Sequence, residues 1–156
     1  MVLFTLALML HTFGVIVWVG GLFFVAAVLM PAVQTWADTE RFAVLARVVP
    51  LYFRWVWLAI VAIVATGYGV LLLGYRGGVG GGGFYVDAMQ MLGIAMVLGF
   101  AYVDWVPWRA FLRARAAGDM VRATAKLHSA RSGLLALMSA GFITAAIGAT
   151  GSFWAN

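Results

Sequence analysis

Few side chains in this sequence could do chemistry: two histidines, five carboxylates and eight methionines, with no cysteine. His11 lies in "LHTFGVIVWVGGLFF", residues 10–24, within a run that meets no other ionisable group before Asp38. An imidazole in such a run has three uses: a hydrogen bond to a neighbouring helix, ligation of a metal or haem iron, or proton handling. All three remain open. The stretch "DAMQMLGIAM", residues 87–96, offers Asp87, Met89, Gln90, Met91 and Met96 at a matching depth. Thioether and imidazole together suit copper(I), and a His/Met pair also ligates haem, so His11, Met89 and Met91 are the candidate ligands for haem b or copper. Methionine is also a common core filler, and that reading stands beside the first.

His128 is the other histidine. At ~1.5 Å rise per residue, His11 lies roughly 9 Å outside the midpoint of its helix and His128 about 20 Å to the opposite side of the midpoint of its own. The two are too far apart to share one iron. His128, between Lys126 and Arg131, belongs instead to a basic headgroup face. Asp104 interrupts an apolar run near its end; a structural ion pair with Arg47, Arg54 or Arg109 is the preferred reading, proton transfer the alternative. No nucleophile with base and orienter, carboxylate pair or phosphate-cradling loop is present, so the balance leans away from an enzyme.

These residues are positioned by apolar helices. Of 156 residues, 65% are hydrophobic and 10% charged, and the mean hydropathy is +1.05; soluble domains are about 45–50% apolar and 25% charged. The composition is that of an integral membrane protein. A net charge of +5 would suit nucleic acid, but too little chain lies outside the apolar runs to build a basic soluble face. The expected class is all-α, a membrane four-helix bundle forming a single domain over residues 1–156, with spans at about 2–33, 55–74, 88–108 and 132–155. Residues 38–49 read as a short interfacial helix, started by Asp38 or Thr39 and stopped by Pro50. "GYRGGVGGGGF", residues 74–84, reads as a flexible link. Gly118 and Asp119 split the third connection into two helical extensions, with Asp119 as N-cap. The first run lacks the basic start of a signal peptide and reads as a retained helix.

Nine of the ten bases flank the first and third connections, leaving Arg76 for the second. The positive-inside rule then puts both termini in the periplasm. His11, Gly14, Trp18, Gly21 and Val25 share one stripe, and Gln90, Gly93, Val97, Phe100 or Ala101, and Asp104 another, so both faces point inward, with Trp18, Gln90 and Asp104 in supporting roles. Ser132, Ala136, Ala140, Thr144, Gly148 and Ser152 form a small-residue seam, the expected site of closest helix approach. Trp36, Trp55, Trp57, Trp105 and Trp108, and at the other end Tyr75, Tyr85, Phe153 and Trp154, read as interfacial belts.

The pattern His11, Trp18, Gly20-Gly21, Phe23-Phe24 resembles the first helix of the copper-resistance protein D (CopD) superfamily of bacterial inner-membrane proteins. The likeness extends to "FRWVWLAIVAIVATGYGVLL", to "MQMLGIAMVLGF" and to "VPWRAF". It implies a short four-helix protein of the bacterial inner membrane, in contact with lipid and open to a membrane-protein partner or a second copy. A related branch, the HemJ-type protoporphyrinogen oxidases, shares the histidine-to-tryptophan spacing and binds haem b through the first-helix histidine, which would make His11 a haem ligand. That branch has a lysine in helix three, where this chain has none. Many relatives have histidines where this sequence has Tyr85 and Asp87. Electron transfer or copper handling follows as the expected function, with a non-catalytic subunit of a larger membrane complex as the alternative and a porphyrinogen oxidase third.

Overall fold

The computed structural model describes residues 2–74 and 84–150. They form four long helices: α1 (Val2–Ala32), α2 (Asp38–Gly74), α3 (Phe84–Ala116) and α4 (Met120–Thr150). Each is long and apolar enough to cross a membrane. The most extensive pairings are α1 with α2 and α3 with α4, two hairpins that join into an all-α bundle. The glycine-rich link at 75–83 with Arg76, the far-end belt residues Tyr75, Phe153 and Trp154, and the end of the fourth span with Ser152 lie outside the described residues.

One helix boundary differs from the sequence expectation. Pro50 does not end a separate interfacial helix, because α2 runs through it from Asp38. Proline removes one N–H and crowds the carbonyl four residues back. Here its neighbours Val49 and Phe53 are buried, and that packing carries the helix across. α3 and α4 continue as helices beyond the spans ending at 108 and starting at 132, forming the two extensions expected on either side of Gly118 and Asp119, and meet at Ala117–Asp119. Gly118 has φ +73°, its amide donates to Arg115 O, and the Asp119 amide donates to Ala114 O, a Schellman C-cap that needs glycine. Asp119 Oδ1 then accepts the Arg122 amide at 2.9 Å and caps α4 as expected.

The core is an aromatic spine. Trp18 of α1 meets Phe100 of α3 edge-on at 6.3 Å; Phe53 of α2 lies between Phe100 at 5.0 Å and Trp108 at 5.5 Å; Phe111 continues it to Phe42 at 5.4 Å. Trp108, assigned from sequence to the belt, is 2% exposed, because the helix widens around Pro107 and turns the indole inward. Trp36, Trp55 and Trp105 do face outward. α4 contributes Ala123, Leu127, Ala130, Leu134, Leu137 and Gly141. The small-residue seam is therefore corrected: Ser132 and Ala136 are exposed, and only Ala140, Thr144 and Gly148 turn partly inward. The inward face of α4 carries Leu127, Leu134 and Leu137 instead, with Gly133 and Gly141 at its close contacts with Val103 and Val19.

α1 is wound irregularly, with π-helical turns at Ile16–Gly20 and Phe24–Leu29. In the second, the Met30 amide bonds Val25 O. The next amide in that register would serve Ala26 O, but it belongs to Pro31, which has none. Arg131 of α4 donates Nε–H to this carbonyl at 3.2 Å. In the first, the Tyr52 hydroxyl donates to Trp18 O at 2.7 Å. Close packing permits this: a Cβ on Gly21 would fall inside the Tyr52 ring, whereas one on Gly20 would meet nothing within 4 Å.

Gly21→Ala should therefore destabilise the bundle by about 1–3 kcal/mol, the cost of overpacking, while Gly20→Ala leaves the detergent melting temperature unchanged. Arg131→Met should cost about 1.5–3 kcal/mol, the range for a hydrogen bond to a charged donor. Most of that loss should vanish in a Pro31→Ala background, where residue 31 regains an amide for Ala26 O. Equal losses in both backgrounds would show that Arg131 does not serve this carbonyl.

Candidate functional site

His11 stands on the inward stripe of α1, three residues from buried Gly14 and seven from buried Trp18. The ring turns toward α2. Nδ1 lies 3.0 Å from Ile63 O and 3.3 Å from Thr66 Oγ1. A carbonyl only accepts, so Nδ1 carries the proton. The Thr66 hydroxyl donates to Ala62 O at 2.6 Å, so its oxygen can share the Nδ1 proton as a second acceptor. The neutral imidazole then has its lone pair on Nε2, which has no protein partner among the described residues.

Gly67 makes the room. A Cβ there would stand 3.1 Å from His11 Cε1 and 3.4 Å from Nδ1, and one on Gly14 would press on Ile63 at 2.7 Å. Glycines at 14 and 67 thus let α1 and α2 approach closely enough for the imidazole to bridge them.

α3, the expected source of a partner, is elsewhere. Met89 packs against α4, where its Cε and Sδ lie 3.0 and 3.2 Å from the Cβ position of Gly148. Met91 is 70% exposed on the outer surface. Met96 is buried and its sulfur accepts the Thr144 hydroxyl at 3.8 Å. Gln90 is half-buried. Trp18 is 4% exposed, and among the described residues its indole N–H has no hydrogen-bond partner. His128 is exposed. Its helix touches Ala26 through Arg131, which puts His128 about 25 Å from His11 along the bundle at 1.5 Å per residue. Among the described residues, no three His, Cys, Asp or Glu side chains cluster as a metal site.

Among the described residues Asp104 does not pair with an arginine. Its Oδ2 accepts the Trp57 indole N–H at 3.0 Å, and Trp57 stacks on Trp105 at 5.9 Å and 19°. Among the described residues the ion pair is Arg41 with Asp38 at 2.8 Å. Asp104 opens a π-turn, Asp104–Trp108, with its carboxylate against Trp57 of α2, whereas Arg47, Arg54 and Arg109 are exposed.

Sequence reasoning did not single out Ile63, Thr66, Gly67, Tyr52 or Arg131. "ATGYG", residues 65–69, held a signal: a hydroxyl beside glycines in an apolar run. Nothing in the sequence marks the carbonyl of Ile63, since an acceptor on the backbone has no residue type.

Replacing Asp104 discriminates between its possible partners. Asp104→Asn retains an oxygen for the Trp57 N–H and should melt close to the parent, whereas Asp104→Leu orphans the indole and should cost about 1–3 kcal/mol. An ion pair would make both changes comparably costly. No protein-family model matches the chain, and neither does any curated protein or solved structure.

Proposed function

We propose that this chain binds haem b or a copper ion at His11 and serves electron transfer or copper handling. The supporting observation is the anchored ring: Nδ1–H is fixed on Ile63 O, which holds the orientation and leaves Nε2 as the donor. Metal-ligating histidines characteristically give their other N–H to a carbonyl or carboxylate in this way.

The donor set favours haem b over a bare ion. Copper would draw on several ligands at once, and the thioethers nearest in sequence pattern, Met89 and Met91, are engaged with α4 and with the outer surface. Haem asks the protein for an axial ligand and an otherwise apolar surround. Bound haem supplies reversible one-electron transfer. For its part, the chain orients the imidazole through Ile63 and Thr66 and clears space for the ring at Gly67. The base-rich connections support an orientation with that half of the bundle on the periplasmic side of a bacterial inner membrane.

The second reading is a non-catalytic membrane subunit in which His11 only straps α1 to α2. The same bond to Ile63 O favours it, as do the outward apolar side chains at that end, with Leu3 73%, Met9 64% and Phe84 88% exposed. A porphyrinogen oxidase ranks third, since α3 carries no lysine.

The visible spectrum of protein purified in mild detergent, together with two variants, tests the choice. His11→Asn keeps an N–H near the place of Nδ1 and removes Nε2; His11→Ala removes both. Haem binding through Nε2 should give a Soret band that shifts on reduction and is lost in both variants, while His11→Asn recovers most of the stability, about 1 kcal/mol, that His11→Ala loses. A colourless protein retaining one equivalent of copper selects copper. A protein binding neither, with His11→Asn as stable as the parent, overturns both in favour of the strap.

A further inference from the structure

At the base-rich end, α2 and α3 bound a cleft of about 490 Å³ lined by Ala43, Val44, Ala46, Arg47 and Arg115, a size typical of small-molecule sites. Both arginines are exposed, and among the described residues neither has a carboxylate within ion-pairing distance. The floor is aliphatic. A cleft with two free guanidiniums above an apolar surface suits a phosphate bearing a hydrocarbon tail.

The register of α1 against α2 sets the depth of this cleft. His11 lies beside Thr66 and Gly21 beside Tyr52; continuing that antiparallel pairing brings exposed Val28 level with Arg47. The cleft therefore opens where the uncharged outer surface of α1 ends. Toward the bilayer the exposed stripe of α2 runs from Arg47 through Leu51 (52% exposed), Trp55 (63%) and Leu58 (62%), one helical turn after another. It forms a track for an acyl chain leading directly from a site for its headgroup.

We propose that this cleft binds an anionic phospholipid, its phosphate held between Arg47 and Arg115 and its acyl chain lying along Leu51, Trp55 and Leu58. Guanidinium forks bind phosphate oxygens in pairs, and each base near an anionic surface contributes independently of any chemistry at His11. The site rests on the membrane reading of the helices and not on the proposal for His11.

Native mass spectrometry of the full chain in a neutral detergent, titrated with phosphatidylglycerol or phosphatidylcholine of the same acyl length, tests it. Phosphatidylglycerol should be retained with about tenfold or greater preference. That preference should collapse in Arg47→Gln/Arg115→Gln and persist in the charge-matched control Arg113→Gln/Arg122→Gln. Equal retention of the two lipids by the parent protein, or equal losses in the two double variants, overturns the proposal. Competition by millimolar inorganic phosphate as effective as that by the lipid would overturn it too, by showing a simple anion site.

Discussion

A backbone carbonyl in lipid must find a hydrogen-bond donor within the protein, and in this bundle that requirement is most exacting at Ala26. The wide turn at Phe24–Leu29 shifts the amide ladder by one residue, and Pro31 then leaves the shifted ladder a donor short. Only another helix can supply one, and Arg131 does. Eight residues earlier the Tyr52 hydroxyl adds a second hydrogen bond to Trp18 O, which also accepts the Gly21 amide. α1 is thus fastened to α4 at one irregular turn and to α2 at the other. In water the Ala26 carbonyl would turn to solvent; in a hydrocarbon layer the cost of leaving it bare is several kcal/mol. The two fastenings fix the rotation of α1, and with it the direction in which His11 points.

Rotation alone does not bring His11 to a partner; distance must also be short. Between apolar helices in lipid, burial supplies little net drive, so contact depends on backbones approaching closely. The glycines responsible lie on both sides of the joints: Gly14 against Ile63 and Gly21 against Tyr52 within the first hairpin, Gly133 against Val103 within the second, and Gly141 against Val19 between them. Gly67 admits the imidazole itself. The buried aromatic spine lies toward the base-rich end, below Trp18, while the flanks of His11 carry many outward apolar side chains. The bundle is therefore tightly joined at one end, and the histidine stands above the joint, strapped to α2.

Composition and charge made the helical class and the membrane character legible, and three-and-four spacing placed His11 on the inward stripe of α1 with Gly14 and Trp18. The Asp119 cap was also legible, because capping is a local event. What failed was whatever depended on a neighbour. Pro50 reads as a stop because propensity sees one chain, whereas Val49 and Phe53 are held by others. Trp108 reads as belt because indoles favour interfaces, until Pro107 and a π-turn rotate it inward. Asp104 reads as half of an ion pair because arginines of the first and third connections fall at the same interface, yet its Oδ2 accepts the Trp57 N–H. The acceptor of His11 was least legible of all. Three turns of α2 present similar apolar side chains, and the atom that matters is a main-chain oxygen.

The choice of histidine at position 11 bears on what the ring is for. A strap to Ile63 O needs one donor, and a hydroxyl or an amide side chain would provide it at smaller volume. An imidazole brings a second nitrogen into an apolar span, where a polar atom without a partner costs about 1–3 kcal/mol on mutational scales. It also obliges α2 to give up a side chain at Gly67. Those two costs fall on the same few ångströms of contact and gain nothing for the strap. They are offset once Nε2 has a partner of its own, and the bond that fixes Nδ1 is also the one that keeps Nε2 deprotonated and oriented to receive it.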